Sequence, residues 1–208
     1  MSNHATYFEE NRLPQQTLLE QILDQGNMEQ AWARVRSNKG AAGIDGMSVT
    51  DFPAFSQVHM LRIIDQIREG RYAPAPVKRV WIPKPDGTKR PLGIPTVLDR
   101  VIQQAIAQVL SPLFDVDFSE SSFGFRYGRQ AHAAIDRISE ASQAGYRWGV
   151  DCDLKGYFDT VNHDLLIAQM RQRINDKGVL RLIGKYLRAG VRLKDGTTEK
   201  TLKGVPQA

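Results

Sequence analysis

Cysteine is nearly absent: Cys152 is the only one in 208 residues. That excludes an intrachain disulfide framework and a multi-cysteine zinc site. Long apolar runs are missing too. No stretch approaches the roughly 20 uninterrupted apolar residues a membrane span needs. The opening MSNHATYFEENRL has neither the basic start nor the apolar run of a secretory signal. Together these absences predict a reducing, cytoplasmic location. No internal repeat or low-complexity run occurs. Apolar residues make up 41% of the chain, which is ordinary for a folded domain and argues against disorder.

The charge is basic, with 28 Lys+Arg against 23 Asp+Glu. Its placement is more informative than its size. Residues 68–100 hold Arg68, Arg71, Lys78, Arg79, Lys84, Lys89, Arg90 and Arg100 against Glu69, Asp86 and Asp99. Residues 181–203 hold seven basic side chains against Asp195 and Glu199. Two basic blocks around a neutral middle point to a polyanionic partner, nucleic acid above all. A solvated Lys/Arg-rich surface explains the charge alone equally well.

Apolar spacing predicts helices at residues 15–25, 27–37, 56–69, 97–110, 131–144, 164–174 and 178–189. In the third, Val58, Leu61, Ile64 and Ile67 form one face. In the fifth, Ala134, Ile135, Ile138 and Ala141 point inward. Thr96 with Asp99 three residues on resembles a capping box. NKGAAGIDG, residues 38–46, reads as a connector whose glycines permit close backbone approach. No Walker lysine follows it, so it is not a P-loop.

Pro85-Asp86-Gly87 predicts the turn of a β-hairpin over residues 77–94, with Lys84, Lys89 and Arg90 near its tip. Basic residues there protect an open edge or contact an anion; their crowding at one tip favours the anion. A second hairpin is expected over 190–203, around Asp195-Gly196. SSFGFRYGR, residues 121–129, interleaves aromatics with Arg126 and Arg129. It serves either to contact nucleic acid or as a structural turn with Phe123 and Phe125 buried. Trp148, Val150, Cys152 and Leu154 alternate with Gly149, Asp151 and Asp153, which predicts a strand with Asp153 near its exit. A carboxylate there, opposite a basic hairpin, suits metal-assisted phosphoryl chemistry. A metal-dependent nuclease is disfavoured, since it wants a denser cluster than His132, His163 and Asp153 provide.

In combination these motifs resemble the N-terminal part of bacterial group II intron reverse transcriptases, the intron maturases. NKGAAGIDG looks like that family's N-terminal extension block. VWIPKPDGTKRPLGIPTVLDRVIQQAIAQVL looks like its first fingers block. SSFGFRYGR is similar to its second block, with Tyr127 in place of the common proline. GVDCDLKGYFDTVNHDLL is similar to the palm motif carrying the first catalytic aspartate. GVPQA looks like the opening of the Gly-Thr-Pro-Gln-Gly-Gly block, with Ala208 where glycine is usual.

The resemblance implies an α+β fold: right-hand polymerase fingers and an incomplete palm, with helices packed around a β-hairpin and a small antiparallel palm sheet. It implies a helical N-terminal extension over 1–55, fingers over 56–146 and a partial palm over 147–208. It implies a bacterial protein that copies RNA into DNA with Mg²⁺, or Mn²⁺, from dNTPs. Asp153 becomes the catalytic, metal-binding aspartate, and the Leu154 carbonyl a further metal ligand. Lys84 and Arg90 hold the nucleotide phosphates, Phe158 gates the sugar, and Gln207 borders nucleotide or template. Lys78, Arg79, Arg126 and Arg129 contact nucleic acid. Asp159 caps the turn into the next helix. Partners are template or intron RNA, a DNA primer and dNTP, and an incomplete palm predicts self-association.

The family's Tyr-x-Asp-Asp motif does not occur in these 208 residues. The chain is therefore expected not to extend primers by itself. The alternative is a non-catalytic module that grips intron RNA and supports splicing.

Overall fold

A computed structural model describes residues 16–205. Helix α1 (Leu18–Leu23) starts where the Thr17 hydroxyl accepts the Glu20 amide at 3.2 Å. Asp24 breaks the run and caps α2 (Gln25–Ser37) by accepting from the Asn27 amide. Helix α3 (Phe52–Arg68) begins four residues before its predicted start, with Pro53 in its first turn, where the missing N–H costs nothing. Helix α4 (Val97–Asp115) follows the expected cap: Thr96 Oγ1 accepts from the Asp99 amide at 3.1 Å.

Two strands separate α3 from α4. Strands β1 (Val77–Pro83) and β2 (Lys89–Ile94) form the predicted hairpin, from Lys78 opposite Ile94 to Pro83 opposite Lys89. At its turn Asp86 Oδ1 accepts from the Thr88 amide and hydroxyl. Gly87 takes φ +80°, a conformation that favours glycine.

Four helices follow: α5 (Ala131–Gln143), α6 (Tyr157–Thr160), α7 (His163–Met170) and α8 (Lys177–Leu187). The last strands, β3 (Val191–Arg192) and β4 (Thr198–Glu199), make the second predicted hairpin. They join the first hairpin to give a four-stranded sheet of order β2-β1-β3-β4. The β1–β3 pairing is parallel, Val77 opposite Val191. The architecture is the expected mixture of helices and a small sheet.

The core gathers α1, α2, α3, α4 and α8. Ile22, Val97, Ile102, Ile174 and Val179 are fully buried in it. Asp176 ties two elements together. One carboxylate oxygen accepts from Gly178 and Val179 at the start of α8; the other accepts from the Leu19 amide at 2.9 Å. Beside it α1 and α8 pack tightly, since a Cβ on Gly178 would sit 2.8 Å from Leu19 Cδ2. Gly43 serves the connector likewise: a Cβ there would meet the Thr96 backbone at 2.6 Å.

Three expectations are corrected. The buried face of α3 is Phe52, Ile63 and Ile67; Val58 and Leu61 face solvent. Helix α5 buries none of its residues, so Ile135 and Ile138 are exposed rather than inward. Residues 148–154 form no strand, and Trp148 is 95% exposed. Alternation assigns side chains to faces, but a strand also needs a neighbouring backbone to bond. No described strand pairs with this segment.

Candidate nucleotide and nucleic-acid site

Opposed residues of a hairpin share a face, and so do alternate residues of one strand. Ile82 opposes Arg90, and Lys84 follows Ile82 by two. Lys84, Arg90 and Lys78 therefore lie on one face of the ribbon. Arg79 and Trp81 lie on the other, with the Arg79 guanidinium 6.0 Å from the Trp81 ring centroid. Trp81 is half exposed, an aromatic surface beside cations.

The Arg79 face meets the turn at Asp159 and the segment at Gly204. Arg79, Pro91, Asp159, Lys203 and Gly204 line a common cleft of about 100 Å³. The turn that carries Asp159 is held by three contacts. The Val205 amide donates to the Phe158 carbonyl and the Gly204 amide to the Val161 carbonyl, both at 2.7 Å. Buried His163 places Nε2 2.7 Å from the Gly204 carbonyl. That carbonyl can only accept, so the proton sits on Nε2. Residues 158–163 and 204–205 are thereby clasped, with Phe158 in the clasp.

Gly204 makes the clasp possible. Its φ is +78°, and a Cβ would lie 2.7 Å from the Asp159 carbonyl oxygen. Gly204→Ala is expected to cost about 1–3 kcal/mol through left-handed strain and that clash. Amides of residues 158–163 should then exchange faster, while those of α4 keep their protection. Unchanged exchange in that turn would remove the assignment.

Asp153 stands on the exposed segment before this turn, and Leu154 accepts from the Tyr157 amide at 3.4 Å. Among the described residues the Asp153 carboxylate has no hydrogen bond or ion pair. No group of three His, Cys, Asp or Glu side chains converges among them. The cap of α7 is Asn162, which accepts from Asp164 and Leu165, rather than Asp159. Gln207 lies outside the described residues.

The 121–129 loop turns its arginines inward. Arg126 donates from Nε and Nη2 to the Asp115 carboxylate, and from Nη1 to the Ser119 and Ser122 carbonyls. Its fifth donor reaches the Asp115 carbonyl. A guanidinium has five N–H groups, so all are engaged within the chain. Those bonds hold the Asp115 carboxyl below its usual range. Arg129 binds the Glu120 carboxylate at 2.6 Å and lies over Phe123. Phe125 is fully exposed at φ +57°, not buried.

The sequence family described as Reverse transcriptase (RNA-dependent DNA polymerase) matches residues 82–207. The chain belongs to that family. The match runs from the hairpin through the clasp and covers more than half the chain.

Relatives agree with the motif reading. Protein YkfC of Escherichia coli K12 is 38% identical over 177 residues, covering 82% of this chain and 46% of YkfC. Group II intron-encoded protein LtrA of Lactococcus lactis is 38% identical over 178 residues, covering 85% of this chain and 29% of LtrA. The chain thus spans less than half the length of either relative. A chain of the solved partial Cas6-RT-Cas1–Cas2 complex superposes with a TM-score of 0.61 at 26% identity. That match covers 93% of this chain and 32% of the other. Among the described residues no helix is long and apolar enough to cross a membrane.

Arg79 was legible as a basic strand residue, but its sharing a cleft with Asp159 was not. Gly204 was legible only as part of a family block. The geometric sign was a left-handed glycine after a hairpin, which no local pattern separates from an ordinary turn.

Proposed function

We propose that this chain forms fingers and part of the palm of an RNA-directed DNA polymerase of group II intron type. Residues 1–55 are its N-terminal extension, 56–146 its fingers and 147–208 its partial palm. The observation that carries the reading is the clasp, which holds the Phe158–Asp159 turn beside the Arg79 face of the basic hairpin, with Lys84 and Arg90 on the ribbon's other face toward its tip. Lys84 and Arg90 share a ribbon face and bind the phosphates of the incoming dNTP. Lys78, Arg79 and Arg129 contact the RNA template and DNA primer. Arg126 supports the 115–129 loop from within. Phe158 walls the sugar pocket and disfavours a 2′-hydroxyl; Gln207 borders nucleotide or template.

Asp153 and the Leu154 carbonyl are oxygen donors, which is the type Mg²⁺ and Mn²⁺ prefer, and the exposed Asp153 carboxylate is unengaged. A bound ion would neutralise triphosphate charge and ease deprotonation of the attacking hydroxyl.

A second reading is a non-catalytic module that grips intron RNA and supports splicing. It rests on sequence: Asp153 is the one catalytic carboxylate these residues supply. Both readings require RNA binding. In a filter-binding titration, affinity for structured RNA should fall steeply as salt rises from 50 to 200 mM, roughly tenfold or more for three phosphate contacts. A flat profile would defeat both. The exposed apolar side chains Ile135, Ile138, Trp148 and Val150 support self-association of the same preparation. Light scattering fixed at monomer mass across concentrations would dismiss that part.

A further inference from the structure

Helices α7 and α8 enclose a groove of about 640 Å³ that none of the roles above uses. Its floor is apolar: Ile174 and Leu180 are buried there. Its rim is cationic. Arg171 comes from the end of α7; Lys177, Arg181 and Arg188 come from α8 and its C-cap. The one carboxylate in the lining is Asp164.

Lys177, Arg181, Gly184 and Arg188 are spaced i, i+4, i+7, i+11, which is a single stripe along a helix. Gly184 is buried and lets the Arg188 guanidinium lie down along the stripe. A Cβ there would lie 2.8 Å from Arg188 Nη2. Glycine inside a helix costs about 1 kcal/mol relative to alanine, so this close seat for Arg188 is not a helix-forming preference. The opposite side of α8 is committed to the core through Val179, Leu182 and Leu187.

A polar outer face is what any such helix needs, but it does not need charge of one sign. Some arginines elsewhere are answered, Arg68 by Glu20, Arg126 by Asp115, Arg129 by Glu120 and Arg173 by Asp117, whereas others, such as Arg34, Arg62 and Arg192, stand apart from one another and make no ion pair among the described residues. Arg171, Lys177, Arg181 and Arg188 make no ion pair among the described residues. Like charges held together over an apolar floor repel one another and favour a polyanion.

The geometry points to a second RNA contact: the α7–α8 groove binds the phosphate backbone of structured RNA, apart from the hairpin and the clasp. This rests on the RNA-binding reading above. A linear array of cations along a helix fits a phosphodiester chain, whose charge recurs regularly. An acidic peptide is the competing occupant.

The test uses the 208-residue protein, a labelled RNA stem-loop and poly-glutamate as separate probes. In the variant Lys177→Gln/Arg181→Gln/Arg188→Gln, RNA affinity at 0.1 M salt should fall about tenfold. The slope of log affinity against log salt should shrink by about 2.7, since each of the three lost phosphate contacts removes about 0.9. Arg171→Gln alone, on the other wall, should lower affinity about two- to threefold. Thermal melts by circular dichroism confirm that each variant is folded; if the triple variant does not fold, Arg171→Gln and Lys177→Gln singly decide. Unchanged affinity and slope, with Lys78→Gln/Lys84→Gln still losing RNA, would overturn the groove and leave the RNA reading standing. No RNA binding by the unaltered protein would overturn both. Loss of poly-glutamate binding with RNA binding intact would assign the groove to an acidic protein instead.

Discussion

Given primed RNA template, dNTPs and Mg²⁺, a polypeptide of these 208 residues is expected to give no primer extension above a protein-free control. Nucleotidyl transfer by two metals would need more than one carboxylate to hold the ions. The family mapping draws one, Asp153, from this sequence, and the Leu154 carbonyl adds a neutral oxygen. Asp151 and Asp159 are not substitutes. Asp159 lines the cleft with Arg79 and Lys203, and no third acidic or histidine side chain converges with any such pair among the described residues. Removing part of a catalytic unit typically costs about 10⁴–10⁶ in rate, because its members act together. RNA binding should survive in the same preparation, since it depends on cations the chain does carry. Robust cDNA synthesis that disappears in Asp153→Asn would refute the expectation and make this polypeptide a polymerase in its own right.

What could be read in the sequence was what local pattern determines. Helices α4 and α8 appeared because their apolar residues recur at helical spacing and their other faces are polar. The 77–94 hairpin appeared because Pro85-Asp86-Gly87 admits few backbones other than a tight turn. The polymerase motifs appeared because they are long and ordered. Partnership was harder to read. Helix α5 is amphipathic, yet no described residue covers Ile135 or Ile138. The alternation at 148–154 states which side chains share a face and nothing about which backbone pairs with it. In α3, Phe52 and Ile63 compete with Val58 and Leu61 for the inward face, and tertiary contacts such as that of Phe52 with the Trp32 ring of α2, 4.7 Å between centroids, decide between them. Arg126 looked like a phosphate ligand because its charge was visible and its five internal acceptors were not. Asp176 caps α8 with one oxygen, and no local pattern announces that its second oxygen reaches 157 residues back to Leu19.

The largest stability effect is expected at Asp99, a carboxylate only 1% exposed. It accepts from the Tyr72 hydroxyl at 2.7 Å, the Thr96 hydroxyl at 2.7 Å, the Tyr186 hydroxyl at 3.1 Å and the Ala75 amide at 3.2 Å. It therefore joins the start of α4, the segment leading into β1, and α8. Lys185 reinforces the junction by donating to the Gly70 and Tyr72 carbonyls. Burial and the neighbouring Asp99 push the Tyr72 hydroxyl far above its ordinary range, so it remains a donor. Asp99→Ala would strand several buried donors at about 1–3 kcal/mol each, offset by relief of a buried charge. The net loss should be about 3 kcal/mol, or roughly 6–12 °C in Tm for a chain of this size. Burial raises the Asp99 carboxyl above its ordinary value despite those hydrogen bonds. The folded state thus holds this proton more tightly than the unfolded one. The stabilising contribution of Asp99 is complete below its unfolded value near 3.9 and declines as pH rises through the folded value. The deficit of Asp99→Ala, measured by urea denaturation, should consequently be larger at pH 4.5 than at pH 8. A deficit that grows toward pH 8 would mean that the ionised carboxylate, not the protonated one, is the form this junction is built to hold.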